Sequence, residues 1–398
     1  MNKDKLIYYI GDDTITAWPM RPYNEEVIQF LDALSKNLRG DKLAQSYPDI
    51  MTFAFYIRKA NIQKKKETFD HTVTRCGRGL LFHIAPSNVP INFAFSLVFG
   101  LLAGNSNIVR VSTKDFPQTQ IVCDAIAAVL TEDDYSNIRK QIAIVRYERD
   151  KEITDFFSAK CDGRIIWGGD RTISEIKESK VSARCEEIHF ADRFSFAIID
   201  PAYIKQLSKE ELIRLAEKFY NDTYLMDQNA CSAPHLILWD HSQEKNQTCA
   251  EVKDRFYDTL QELVKKYPFE SIKASDKYLN LCLEAAENEQ IKKYRHYGEN
   301  RVYVLELKTL DQSIIEKRGK YGTFYEYDLE KWSELGDFLN SKVQTCATAG
   351  IDQDKLRDYI VDNHLQGIDR IVSFGDTLNI DVVWDGMDVI SKLSRVIA

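Results

Sequence analysis

From Gly79 onward the chain alternates short apolar runs with helical stretches, and this pattern restricts the fold more than any other feature of the sequence. Leu80-Leu81-Phe82-His83-Ile84 runs into Ala85-Pro86-Ser87-Asn88-Val89-Pro90, which reads as a buried strand ending in a turn. Residues 91–102 read as a buried helix, with Gly104-Asn105 as its cap. Strands are predicted at 108–111, 142–145 and 164–167, with helices at 119–130 and from Gly168-Gly169 through Ile176. A second series follows, with strands at 194–199, 236–239 and 301–307 and helices at 210–220, 250–266 and 335–343. Strands a few residues long separated by helices predict parallel α/β sheets.

The 398 residues are enough for two or three domains at roughly 150 residues each. We expect a first domain at 1–195, comprising a helical N-terminal region and a nucleotide-binding lobe. A catalytic lobe is expected at 196–370, and a C-terminal segment at 371–398 that returns to the lobe interface or an oligomer contact. The N-terminal region is read as helical at 24–38 and 50–66. Its cluster Arg58, Lys59, Lys64, Lys65 and Lys66 reads as a solvated helix face. With 53 Lys+Arg against 61 Asp+Glu the net charge is −8, which argues against a chain that coats nucleic acid. No run reaches the ~18 apolar residues of a membrane span, and residues 1–13 do not read as an export signal, so a cytoplasmic protein is expected. The eight cysteines are dispersed, the closest two (Cys231 and Cys249) being 18 residues apart. No metal site is therefore expected, and the thiols read as free in a reducing compartment.

Three places carry chemistry. Cys231 lies in Asp227-Gln228-Asn229-Ala230-Cys231-Ser232-Ala233-Pro234, a polar turn entering the strand that starts near His235, where a thiol is exposed enough to react; taken alone, a buried structural cysteine is the commoner reading. Asn88 sits between two prolines at a strand end, where a rigid amide can stabilise an oxyanion; the plainer reading is an Asx-turn. Gly168-Gly169, between a strand and a helix, can set backbone N–H groups against a pyrophosphate. His189, His235 and His364 are candidate proton donors, although lone histidines are more often structural.

Together these segments resemble the aldehyde dehydrogenase superfamily, and more closely its acyl-CoA reductase branch, the fatty-acid reductase component of bacterial luminescence systems. The resemblance runs from about Gly79 to the C-terminus. It rests on His83 to Pro90, on Gly100-Leu101-Leu102-Ala103-Gly104-Asn105-Ser106-Asn107-Ile108-Val109-Arg110, and on Asp227 to Cys231. Gln344-Thr345, Gly367-Ile368-Asp369-Arg370-Ile371-Val372 and Trp384-Asp385-Gly386 continue the series. It implies two Rossmann-like α/β lobes, one for the cofactor and one for catalysis, with a helical N-terminal region. Cys231 corresponds to the nucleophile and Asn88 to the oxyanion-hole amide acting with the Cys231 N–H. Gly168 and Gly169 fall where the superfamily places the pyrophosphate, and Arg110 stands where most members have a Lys on the adenosine ribose.

Two departures refine the expectation. NAD-preferring members carry Ser-Glu after the basic residue, whereas this chain has Arg110-Val111-Ser112-Thr113-Lys114. Two cations without a carboxylate favour a 2′-phosphate, so Arg110, Ser112, Thr113 and Lys114 are expected to hold NADPH, with NADH as the alternative. Hydrolytic members need a Glu general base, but none falls in register within 188–195; Glu186 and Glu187 lie too early. The stretch Arg318-Gly319-Lys320-Tyr321-Gly322-Thr323 matches the superfamily's Glu-x-Phe-Gly-Pro only at Tyr321-Gly322, leaving the nicotinamide-ribose carboxylate unassigned. The expected activity is NADPH-dependent reduction of an acyl thioester, from CoA or a carrier, to the aldehyde through a thioester on Cys231. The alternatives are acyl transfer by Cys231 without reduction, or a non-catalytic scaffold. A homo-oligomer is expected, with an acyl-activating or acyl-transferring protein as a further partner, no nucleic acid and no membrane span.

Overall fold

The computed structural model describes residues 5–242 and 249–398. Residues 1–4, part of the segment read above as lacking an export signal, and the side chain of Cys249 lie outside this description. The chain forms two compact units, one running up to Ala191 and joined by Met387–Ala398, the other Asp192–Gly386.

The first unit is built on a six-stranded sheet. Its strands are β1 (Ile7–Ile10), β2 (Leu80–Ile84), β3 (Ser106–Arg110), β4 (Ile142–Arg146), β5 (Gly163–Trp167) and β6 (Glu186–Phe190), in the order β1-β4-β3-β2-β5-β6. Only β1 runs antiparallel, against β4. Strand β2 is buried on both faces, which is why it reads as an unbroken apolar run. Helix α1 (Glu25–Gly40) is capped by Asn24, whose side chain accepts from the Glu26 N–H at 2.8 Å. The predicted helix at 50–66 is two helices, α2 (Pro48–Tyr56) and α3 (Lys59–Thr68). They part at Arg58, whose extended backbone turns the chain while the Lys59 N–H is taken by Asp32 at 3.0 Å.

Helix α4 (Asn92–Leu102) is buried along its whole length. Gly100 lets it approach the sheet, because a Cβ there would meet the Asn107 side-chain oxygen at 1.8 Å. That oxygen accepts from His83 Nε2 at 3.0 Å, so His83 Nδ1 accepts from Ser96 Oγ at 2.8 Å. Ser96 in turn accepts from Trp167 Nε1 at 3.0 Å. This buried polar set is paired throughout, which is what makes a histidine tolerable in β2.

The second unit has a seven-stranded sheet of β7 (Phe194–Ile199), β8 (Pro234–Asp240), β9 (Ile291–Tyr297), β10 (Val302–Leu307), β11 (Thr323–Leu329), β12 (Val343–Ala349) and β13 (Arg370–Ser373). The order is β9-β10-β11-β8-β7-β12-β13, parallel except for β9 against β10. Apolar side chains fill both faces of this sheet, among them Phe196, Leu236, Leu238 and Leu305 on one and Ile199, Ile237, Trp239 and Phe324 on the other. The predicted helix at 335–343 is corrected: only Leu335–Phe338 is helical, and Val343 opens β12. Leu335, Phe338 and Leu339 do keep helical spacing toward the core, but Leu339 is extended and the chain turns at Asn340.

Candidate active site

Numbering only its parallel strands, the first sheet runs 3-2-1-4-5, the doubly wound order whose topological switch lies between β2 and β5. Ligands of such sheets bind beyond the carboxyl ends at that switch. Strand β2 ends at Ile84 and leads to Asn88; β5 ends at Trp167 and leads to Gly168-Gly169. Two of the motifs therefore flank one crevice of the first unit. Asn88 is exposed in its turn. The Gly168 N–H already donates to the Phe190 carbonyl at 3.1 Å, which narrows the pyrophosphate reading to Gly169 and the start of the helix that follows it, Asp170–Lys177. Space at Gly169 is open, since an added Cβ there would meet nothing within 4 Å.

Arg110 ends β3 in the same carboxyl edge. Its Nη2 donates to the Tyr147 carbonyl at 3.2 Å and its guanidinium lies 4.6 Å from the Tyr147 ring centroid. Its Nε is buried without a hydrogen-bond partner among the described residues. Lys114 is exposed, with its N–H bonded to Ser112 Oγ at 3.0 Å. A third cation, missed in the sequence, belongs to this loop: Arg146 Nη2 donates to the Thr113 carbonyl at 2.5 Å and Nη1 to Asp115 at 3.2 Å. Arg146 lies at the end of β4, and only the sheet order brings it beside 112–115. These donors suit a phosphate-bearing nucleotide: an unpartnered buried guanidine N–H, two further cations and an open glycine at strand carboxyl ends.

Cys231 lies in the second unit at the opposite kind of edge. It precedes β8 by three residues, and its neighbours come from the amino ends of the parallel strands: Ser195 on β7, Gln344 and Thr345 on β12, Arg370 on β13. Ser195 Oγ donates to the Cys231 carbonyl at 2.7 Å and accepts from the Thr345 N–H at 3.2 Å. Asp227 and Gln228 both hold positive φ, at 53° and 62°, a strained pair just before the nucleophile. Tyr267 and Lys273 both donate to the Asp227 carboxylate, and Gln228 is bonded on three sides. The loop is thus braced from both flanks of Cys231.

Cys231 itself is half-buried, yet burial still dominates its thiol and pushes the pKa up to about 11. The Asp385 charge adds to the rise, while the Gln344 side chain and the Arg193 charge oppose it. Asp385 is buried; it accepts from Gln344 Nε2 and has Arg193 Nη1 3.7 Å away. Arg193 is also paired with Asp369. Gln344, Asp385, Arg193, Arg370 and Ser195 were not singled out as functional in the sequence. Gln344, Arg370 and Asp385 stood inside the quoted motifs, and Arg193 and Ser195 inside the stretch 188–195 compared for its missing Glu.

The candidate acids and bases divide clearly. His235 is buried, and burial with the Arg318 charge pushes it down to about 3, so it stays neutral. His189 is half-buried on β6 and is lowered by burial and Lys177. His364 is exposed after Gln353–Asp362. Glu187 is held by Arg164 in two hydrogen bonds of 2.9 and 2.6 Å, and Glu186 is paired with Arg78 at 3.0 Å. Among the described residues no group of three or more His, Cys, Asp or Glu is placed to hold a metal, and no helix is long and apolar enough to cross a membrane.

Residues 14–396 match the family profile of acyl-CoA reductase (LuxC). The chain belongs to this family. This member of the acyl-CoA reductase (LuxC) family is 25% identical over 167 residues to the long-chain acyl-protein thioester reductase of Vibrio harveyi. That match covers 41% of this chain and 32% of the relative, so it spans about a third of the relative's length. In structure, this acyl-CoA reductase family member is similar to a NAD-dependent benzaldehyde dehydrogenase from Corynebacterium glutamicum. The TM-score is 0.60 at 14% identity, over 94% of this chain and 84% of that one. An oxidoreductase from Marinobacter aquaeolei aligns with TM-score 0.63 at 11% identity, over 95% and 86%. These likenesses show the aldehyde dehydrogenase-like α/β fold.

Proposed function

We propose that this chain reduces an acyl thioester, carried by CoA or a carrier, to the aldehyde with NADPH, through an acyl group held on Cys231. Family membership supports the reaction class. The observation that carries the residue assignment is the bracing of Cys231 beside Arg193 and Arg370 within the second unit. The Cys231 thiol loses its proton and the sulfur attacks the thioester carbonyl carbon. The donor's C–S bond breaks, its thiol leaves with a proton, and the acyl group remains on Cys231. Arg193 and Arg370 place positive charge around the sulfur as it becomes anionic. Asn88, by the resemblance, supplies an N–H to the acyl oxygen.

Arg110, Ser112, Thr113, Lys114, Arg146 and Gly169 are the residues that would hold the nucleotide. Bound there, a reduced nicotinamide would supply hydride chemistry at the acyl carbon. The Cys231 sulfur is then expelled as the aldehyde leaves. Glu187 is committed to Arg164 and Glu186 to Arg78, so neither is free to activate water against the acyl-enzyme. The described free thiols support a reducing, cytoplasmic location.

The test is a panel of acyl-CoA chain lengths with NADPH and NADH, following nicotinamide absorbance and trapping aldehyde. In parallel, incubation without reductant should add the acyl mass to the Cys231 peptide, removable by hydroxylamine. Acyl transfer without nicotinamide consumption would make the protein a transferase. No label on Cys231 at any chain length would remove the nucleophile assignment.

A further inference from the structure

We propose that Gln344 is the hydrogen-bond donor to the Cys231 sulfur, and that Asp385 is the positioning residue that aims its amide. This rests on the reading of Cys231 as the nucleophile and names the groups that make it one.

A primary amide has two N–H donors and one acceptor oxygen, and packing alone does not fix which end points where. Here both ends are determined. Gln344 Oε1 accepts from Thr345 Oγ1 at 3.3 Å, and Nε2 donates to Asp385 Oδ1. A carboxylate only accepts, so the nitrogen must face Asp385, and one N–H remains for another partner. Gln344 is fully buried, where an unused N–H is costly. Cys231 adjoins this residue: Ser195 Oγ joins its carbonyl to the N–H of Thr345, next to Gln344, and Gln344 acts to lower the Cys231 thiol pKa against the rise from burial.

Asp385 is held for this task by its own surroundings. Its backbone is left-handed, with φ at 48°, and Gly386 follows at 72°. A Cβ at Gly386 would meet Asp369 Oδ1 at 2.7 Å, so the turn requires glycine. Arg193 lies between Asp369 and Asp385 and balances both carboxylates. The charged groups acting on the thiol are Asp385 and Asp192, which oppose the thiolate, and Arg193 and Arg370, which favour it. Asp385 therefore has two opposed effects on Cys231, a direct repulsion and an orienting action through Gln344. A double-mutant cycle separates them.

The experiment measures iodoacetamide alkylation of the full chain against pH, read on the Cys231 peptide by mass spectrometry. It needs neither acyl thioester nor nicotinamide, so its outcome is independent of whether the chain reduces acyl groups. Gln344→Ala should slow alkylation by about 5–10-fold on the acid side of the profile, the loss of one ordinary hydrogen bond. In an Asp385→Ala background the same change should cost less than about twofold, because the amide is no longer aimed. Gln344→Glu keeps the volume but loses both N–H donors, and should slow alkylation at least as much as Gln344→Ala; it serves if the alanine variant does not fold. Equal factors in the two backgrounds would show that Asp385 does not orient Gln344. An unchanged profile in both Gln344 variants would remove the donor role. Normal coupling with no aldehyde formed would leave this inference standing and overturn only the reductase reading.

Discussion

Gln228 accepts from the Gly322 N–H at 3.0 Å through Oε1, and by that contact ties the loop before Cys231 to the start of β11. Its Nε2 donates to the carbonyls of Pro234 at 3.0 Å and Thr323 at 3.1 Å. The side chain is buried, so removing it strands three backbone groups away from water. Gln228→Leu should therefore lower unfolding stability by about 2–4 kcal/mol in urea titrations, one unsatisfied group costing about 1–3. A midpoint within error of the wild type would show that solvent replaces these bonds and that the loop is not braced there.

The raised pKa of Cys231 makes a prediction about pH. An ordinary thiol near 8.5 stops gaining reactivity soon after pH 9. With burial and Asp385 holding Cys231 up to about 11, its thiolate fraction is small at neutral pH and grows about tenfold per unit. Alkylation of the Cys231 peptide in the ligand-free protein should therefore keep rising through pH 10. A plateau reached by about pH 9 would mean that the nucleophile is not desolvated.

His83 supplies a stability prediction whose sign follows from its burial. The folded pKa is pushed down to about 4 by burial, although Asn107 partly opposes this, against about 6.5 in an unfolded chain. Above pH 6.5 the ring is neutral in both states and costs nothing. Below it, the unfolded chain takes up a proton that the folded protein refuses, and stability falls until about pH 4. The destabilisation produced by His83→Asn should accordingly shrink by about 2 kcal/mol between pH 7 and pH 5. Comparing the two proteins at each pH cancels the carboxylates they share. A constant difference would mean that His83 can be protonated in place.

Much of the first unit was legible because its strands are buried on both faces and announce themselves as apolar runs, as Leu80–Ile84 does. Asn88 and Gly168-Gly169 could be read at strand ends for the same reason. The neighbours of Cys231 could not. Ser195 and Thr345 are 150 residues apart and meet only because β7 and β12 are adjacent in a sheet whose order sequence does not reveal. Gln344 was hidden further by the helical spacing of Leu335, Phe338 and Leu339, which drew the predicted helix on to Val343. The rule placing ligands at carboxyl ends also pointed away from the amino edge of the second sheet, where Cys231 lies.

Cofactor choice is the prediction that the loop after β3 carries, and it rests on the balance of charge there. A 2′-phosphate adds about two negative charges, which guanidinium and ammonium groups attract and a carboxylate repels. Arg110, Lys114 and Arg146 supply three cations, and Asp115, with its side chain 93% exposed, supplies one carboxylate, already paired with Arg146. The sum favours the phosphate, so NADPH should bind more tightly than NADH in fluorescence titrations. The three cations should not contribute alike. Arg110 is fixed on Tyr147 and keeps a buried Nε–H unpartnered among the described residues, so it is ready to bind without reordering. Lys114 is exposed and must lose rotamer freedom to make a contact. Arg110→Ala should erode the preference by roughly 1–3 kcal/mol, Lys114→Ala by less than about 1. Removing the opposing charge with Asp115→Asn should strengthen NADPH binding and leave NADH nearly unchanged. Salt should weaken the Lys114 contribution first, because exposed pairs are screened most. Equal affinity for the two nucleotides in the wild type, or a preference that survives both cation substitutions, would show that these side chains do not read the phosphate.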